Sequence, residues 1–275
     1  MARLTVSPQT KRLLDLVSSR TGIVRELVRV SRGVDEPSPP ILYQAMLSNF
    51  DFKKATPLEP AGAGKGLTDE EAISGAIGEA IEHYCAYHIE PARLRRIPRG
   101  SVTSNYLAPE ECVLYSDRQY ARPDFPYLRP FAAMEIDWVA GRELPDDNDI
   151  LLPAPLVYLH ANNVMPGESL CPPTSNGLAA GPTLCAAIRR GLCELIERDA
   201  FLITWMNKLA MPEVDFSAMP GPASAMADHY RRFGLDTRVF NITTDIPVSV
   251  MMAVSLDFSA QTPAAVVGLG CHLNP

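Results

Sequence analysis

Gly64-Lys-Gly-Leu-Thr-Asp-Glu-Glu-Ala-Ile-Ser-Gly-Ala-Ile-Gly-Glu-Ala-Ile-Glu-His-Tyr84 is the stretch whose reading decides the fold. Thr68 with Glu71 three residues on makes a capping box, and Leu67 with Ala72 makes a hydrophobic staple, so a helix starts here behind a glycine-bearing turn. Ile73, Ile77, Ala80, Ile81 and Tyr84 form an apolar stripe, whereas Gly75, Gly78, Glu79 and Glu82 fall on another face. A glycine inside a helix costs roughly 0.5–1 kcal/mol relative to alanine. Two of them beside the acids point to close approach of a ligand or of another backbone. Residues three apart share a helix face, so Glu79 and Glu82 present two carboxylates together.

A second pair, Glu194 and Glu197, lies in Thr174-Ser-Asn-Gly-Leu-Ala-Ala-Gly-Pro-Thr-Leu184, continued as Cys185-Ala-Ala-Ile-Arg-Arg-Gly-Leu-Cys-Glu-Leu-Ile-Glu-Arg-Asp-Ala200. Thr183 is the expected N-cap. Gly177 and Gly181 free the preceding loop to fold tightly, so that its N–H groups could meet an anion at the helix start. Leu184, Ala187, Ile188, Leu192, Leu195 and Ile196 are the expected buried stripe, leaving Arg190, Glu194, Glu197 and Phe201 on another side. Clustered carboxylates suit Mg2+, above all when phosphates fill the remaining coordination positions. Four ionised glutamates facing a triphosphate would repel it; more than one Mg2+ bridging the two removes the conflict.

The two stretches together closely resemble the YcaO superfamily of ATP-dependent enzymes. Arg20-Thr-Gly-Ile-Val24 and Leu152-Pro-Ala-Pro-Leu-Val-Tyr158 resemble it too, so the likeness runs from about Leu16 to the last residue. The resemblance implies ATP-driven phosphorylation of a backbone amide oxygen after a nucleophile has added to its carbon. In azoline-forming members that nucleophile is a Cys, Ser or Thr side chain of a ribosomal precursor peptide; others accept external sulfide and form thioamides. It also implies that Ser74, Glu79, Glu82, Asn176, Glu194 and Glu197 hold ATP and its metals, with Glu79, Glu82, Glu194 and Glu197 on Mg2+; Lys65, Ser175 and Arg198 are further nucleotide-binding candidates, and no catalytic residue is assigned. Arg198 and Asp199 read equally well as an internal ion pair.

Three departures stand beside the likeness. His83 occupies a position where an arginine often follows the first acidic pair, and Cys185-Ala186 replaces an acidic pair. After Gly268-Leu-Gly-Cys-His-Leu-Asn-Pro275 the family continues into a further helix, and azoline formers end in a proline-rich tail, so the chain reads as a single YcaO-like domain, 1–275, lacking that part. The expected activity is an azoline-forming cyclodehydratase. The alternatives are a thioamide-forming or other sulfur-modifying enzyme, or a degenerate subunit that binds a partner or precursor peptide. A leader-peptide-binding, E1-like protein is the expected partner, and a homodimer is possible.

The rest of the chain restricts the reading without adding chemistry. A net charge of −7 over 275 residues argues against a nucleic-acid surface, and Arg93-Leu-Arg-Arg-Ile-Pro-Arg99 reads as a solvated loop. Six cysteines without C-x-x-C spacing, no apolar signal-like segment and no stretch long enough for a bilayer span point to free thiols in the cytoplasm. Gly62 to Thr68 is not a P-loop, since Glu59 takes the first glycine position and Gly66 follows the lysine, although Lys65 remains able to neutralise phosphate. The five histidines are scattered, which disfavours zinc.

Elsewhere the pattern gives a short helix near Leu13–Val17, a strand at Ile23–Val30, a proline bend at Pro37–Pro40 and irregular structure from Tyr106 to Gly141. It then gives an edge or bulged strand within Ile150–Leu159, a loop from Asn162 to Ser175, and strands at Thr237–Ile242, Val248–Leu256 and Ala264–Leu269. Trp138 and Trp205 read as buried anchors, Met251 and Met252 as core filler. The fold class is mixed α+β: β-sheets packed against helices, with the two signature helices facing a nucleotide site.

Overall fold

A computed structural model describes residues 6–34, 36–48, 61–112, 114–144, 146–159, 170–215, 221–259 and 264–273. Most of the expected 162–175 loop and Glu59 lie outside them. The chain divides into two compact units, one formed by residues 1–81 with 176–275 and the other by 82–175.

In the first unit the glycines before the first signature helix lie in a strand rather than a turn. β3 (Ala61–Gly66) pairs antiparallel with β2 (Ile41–Leu47), Ala45 opposite Gly62, and β2 pairs with β1 (Val24–Arg29), Leu27 opposite Ala45. Alternation sends Gly62, Gly64 and Gly66 to the face that meets helix α2 (Asp69–Tyr87). A Cβ on Gly64 would stand 1.9 Å from the Ala72 carbonyl oxygen and 2.2 Å from the Ala76 nitrogen; one on Gly62 would stand 2.3 Å from the Ala80 nitrogen. Helix and strand therefore touch backbone to backbone. Gly75 serves the same contact, its missing Cβ 3.2 Å from Gly64 Cα. Propensity alone does not favour a glycine-rich strand; packing overrides it.

The capping box forms as expected: Glu71 accepts from the backbone N–H groups of Leu67 and Thr68, and Thr68 Oγ1 accepts from Glu71 N–H. Ile73, Ile77 and Ala80 are buried, and Ala72 and Ala76 join them on the strand-facing side. Ahead of this sheet, α1 (Pro8–Leu14) is capped by Ser7.

The same unit holds the long second signature helix, α4 (Leu184–Met206), α5 (Pro222–Arg231) and the sheet β7 (Leu235–Asn241), β8 (Ser249–Asp257), β9 (Ala264–His272), antiparallel in chain order. Thr183 caps α4, its hydroxyl accepting from Ala186 N–H at 3.2 Å. α4 does not bury the expected leucines: Leu184, Leu192 and Leu195 are exposed, and Gly191, Ala200 and Thr204 are the buried residues. Apolar residues occur almost all round this helix, so periodicity cannot select the inner face; small residues, which allow close approach to the sheet, do. Ala200, Ile242 and Val250 centre that core, with Ile196, Phe201, Met252 and Cys271 packed against it. Trp205, expected as an anchor, is 59% exposed.

The second unit contains the end of α2 and the sheet β4 (Leu94–Pro98), β5 (Glu135–Arg142), β6 (Asp149–Pro153), again antiparallel in chain order. β4 corrects the reading of Arg93–Arg99 as a loop: Arg96 pairs with Glu135 at 2.9 Å and Asp137 at 3.5 Å across the strands, so its charge is matched by the neighbouring strand. β5 and the short α3 (Asp117–Tyr120) correct the reading of 106–141 as wholly irregular. Weak alternation hid β5. Trp138, fully buried on it, donates its indole N–H to the Ile97 carbonyl at 3.1 Å and anchors this core as expected. β6 lies at the sheet edge, as its prolines imply. All six cysteines are free thiols, and among the described residues no helix is long and apolar enough to cross a membrane.

Candidate functional site

The first unit carries Lys65, Ser74, Glu79, Asn176, Glu194, Glu197 and Arg198; Glu82 and Ser175 belong to the second. Glu82 follows Glu79 by one turn of α2.

Glu79 is aimed by the strand beneath it. One carboxylate oxygen accepts the Ala63 backbone N–H at 2.8 Å, two residues before Lys65 on β3. With the glycines of β3 turned toward α2, Ala63 and Lys65 project from the other face of the strand.

On α4, Glu194 and Glu197 share a face, and Arg198 approaches Glu194 at 3.6 Å. Arg198 therefore pairs inside the helix with Glu194 rather than with Asp199. Burial pushes the Glu197 carboxyl above the ordinary glutamate value and the Glu194 charge adds to it, while Arg198 and Lys65 oppose the shift. Lys65, Glu194, Glu197 and Arg198 thus lie within one another's electrostatic reach, although β3 and α4 are more than a hundred residues apart in sequence. Glu197 is a partly desolvated acid whose negative charge the surroundings only partly offset. This is a position where a cation would be favourable.

The loop ahead of α4 folds back along it. Gly177, at φ +84°, turns the chain so that its carbonyl oxygen would stand 2.5 Å from a Cβ on Gly191, and Arg190 donates to the Ala180 carbonyl at 2.8 Å. Asn176 enters this turn. Gly78 of α2 has Ala180 as its nearest neighbour, with 3.9 Å between the Ala180 Cβ and the position a Cβ would take. Gly75 and Gly191 therefore serve close backbone approach, whereas at Gly78 a Cβ would make only an ordinary contact with the Ala180 side chain. Ser74 turns instead toward α1, its hydroxyl 3.1 Å from that of Thr10.

Sequence reasoning missed two neighbours of these residues. Thr10 lies 64 residues from Ser74, and no local pattern links them. Cys271 of β9 contacts Cys193 and lies near Glu197; burial, reinforced by Cys193 and Glu197, pushes its thiol up to about 11. No local pattern around Cys271 carries a signal for this contact.

Among the described residues no three His, Cys, Asp or Glu side chains stand close enough to hold a metal ion between them. Mg2+ does not require that, since it keeps several waters and takes one or two carboxylates together with substrate phosphates. The Glu194/Glu197 pair, with one desolvated member, fits that demand.

The YcaO family model, described as a cyclodehydratase binding ATP and Mg2+, matches residues 63–275. An uncharacterised protein of Methanothermobacter thermautotrophicus is 30% identical over 216 residues, which are 78% of this chain and 52% of that protein. A heterocyclase solved in complex with substrate and cofactor superposes with a TM-score of 0.84 at 28% identity, covering 97% of this chain and 38% of its own. YcaO of Methanopyrus kandleri, solved with AMPPCP and Mg2+, shares the fold at a TM-score of 0.65 and 20% identity, covering 95% of this chain and 61% of its own. The chain thus spans about half the length of the curated relatives it matches. Two acidic helices, a glycine strand seated under the first and a family match extending over both signatures lead to one assignment: the chain belongs to the YcaO family.

Proposed function

We propose that this chain binds ATP with Mg2+ and activates a peptide backbone amide by phosphorylating its oxygen, closing azoline rings from Cys, Ser or Thr of a ribosomal precursor peptide. The observation that carries the reading is the charge arrangement around Glu197: a desolvated carboxyl beside a second acid, with Lys65 and Arg198 in reach. Glu194 and Glu197 would hold one Mg2+, with Glu79 of α2 contributing to another; Lys65, Ser74, Asn176 and Arg198 would bind the nucleotide. When bound, Mg2+ supplies charge neutralisation between carboxylates and phosphate oxygens.

The chain's own contribution is orientation. Glu79 is fixed by Ala63, Glu194 by Arg198, and the 176–181 turn by Gly191 and Arg190. Groups held in place before a ligand arrives lose little freedom on binding. In this reading residues 1–275 act as one YcaO domain, and a leader-binding partner delivers the peptide. The support for the peptide substrate is the likeness to a heterocyclase bound to substrate.

Calorimetric titration tests the nucleotide step. ATP with Mg2+ binds, and ATP in excess EDTA does not; equal affinity in both refutes the scheme. Mass spectrometry of precursor peptide incubated with the chain, ATP and partner then reads the chemistry. Loss of water is the expected change, whereas exchange of oxygen for sulfur would replace azoline formation by thioamidation.

A further inference from the structure

We propose that Thr10 is a positioning residue that fixes the direction of the Ser74 hydroxyl, so that Ser74 meets its ligand as a hydrogen-bond acceptor. The inference rests on the Mg-nucleotide reading and adds to it the kind of group that Ser74 recognises.

A proton count gives the direction. Thr10 Oγ1 lies 2.8 Å from Glu70 Oε1, which also accepts the Ser7 backbone N–H at 3.0 Å. Hydrogen bonds from Ser7 and Thr10 hold the Glu70 carboxyl below its ordinary range, so at neutral pH it is ionised and can only accept. Thr10 must therefore be the donor in that contact. A threonine hydroxyl has one proton, and Thr10 has committed it to Glu70. The 3.1 Å contact between Thr10 Oγ1 and Ser74 Oγ can then be closed only by the proton of Ser74. Thr10 is 2% exposed, which leaves bulk water little access to exchange with these bonds.

Ser74, half-buried on α2, thus retains lone pairs and no free proton. It suits a donor: the amino group of a purine base or a water bound to magnesium. It does not suit a phosphate oxygen, which would need the proton that Thr10 already receives. The arrangement joins α1 to α2 through three side chains, and two of the three, Thr10 and Glu70, have no expected contact with the nucleotide.

Calorimetry with Mg–ATP and Mg–ITP, on wild type and on Ser74→Ala, Thr10→Val, Thr10→Ser, Glu70→Ala and Thr10→Val/Ser74→Ala, provides the test, with thermal denaturation confirming folding. Ser74→Ala and Thr10→Val each weaken Mg–ATP about tenfold, and the double variant is no weaker than the worse single one by more than about twofold. Thr10→Ser stays within about twofold of wild type. Glu70→Ala, which frees the Thr10 proton to turn onto Ser74, weakens binding as well and replaces Thr10→Val should that variant not fold.

A loss confined to Mg–ATP identifies the base amino group, and a loss with both nucleotides identifies the metal-bound water. Unchanged affinity in Ser74→Ala overturns the proposal. So does unchanged or tighter binding in Thr10→Val or Glu70→Ala alongside a weakened Ser74→Ala, since Ser74 would then be a donor. Wild type that binds neither nucleotide overturns the nucleotide reading itself, an outcome distinct from both.

Discussion

The carboxylate of Glu79 accepts the backbone N–H of Ala63 at 2.8 Å, so the first acidic residue of α2 is tied to the strand that carries Lys65. A carboxamide keeps an acceptor oxygen for that N–H but loses the charge. Glu79→Gln is expected to fold with near wild-type stability and to bind Mg–ATP at least tenfold more weakly. Glu79→Ala loses the tie as well, at about 1 kcal/mol of stability. Thermal denaturation and calorimetry on the two variants separate the roles; equal stability in both would show that the tie contributes nothing.

Glu197 sets a pH dependence whose sign follows from burial. Its carboxyl is raised in the folded chain, so between the ordinary glutamate value and the raised one the folded state holds more proton than the unfolded state. Apo stability therefore falls as pH rises through that window and levels off above it. Mg–ATP affinity runs the opposite way, weakening as pH drops into the window because the proton competes with the metal. Glu197→Gln should raise the apo melting temperature at neutral pH by about 2 °C and remove metal-dependent binding. Melting curves from pH 4 to 8 check both signs.

Lys65 opposes the rise at Glu197. Its replacement in Lys65→Met should move the pH at which Mg–ATP binding weakens upward, with the fold unaffected because Lys65 is exposed on β3. An unmoved midpoint in pH-dependent titrations would place Lys65 outside the site.

Gly64→Ala should be among the most damaging small substitutions in the chain. The added methyl meets helix backbone at 1.9 and 2.2 Å, atoms that no side-chain rotation can move aside. A loss of about 3 kcal/mol, read by urea denaturation, is expected, against little change for Gly221→Ala, whose Cβ would meet no atom within 4 Å.

Cys271, with its thiol pushed up to about 11, should alkylate far more slowly at pH 8 than the exposed Cys85 and Cys185. Peptide mapping after a timed iodoacetamide pulse measures this. Comparable labelling of all three would mean that α4 does not cover the thiol.

Legibility in the sequence followed the range of the interactions. The α2 capping box, the Thr183 cap and the strands β7 to β9 depend on neighbours within a few residues, and the sequence patterns matched the structure there. β3 was misread because glycine signals a turn locally, and only the helix lying against it explains a glycine strand. The inner face of α4 was misread because leucine is a guide to burial only when apolar residues are confined to one side. The acids were legible as pairs. Their neighbours Thr10 and Cys271 come from distant segments and could be found only through the fold.

With no side-chain layer between β3 and the first turns of α2, the two elements share an incompressible seam. A push on the helix from any occupant reaches the strand undiminished, and neither can recoil alone. Adjustment to different ligands must therefore come from the long side chains of Lys65, on the far face of β3, and Glu79, while their attachment points stay at fixed separation.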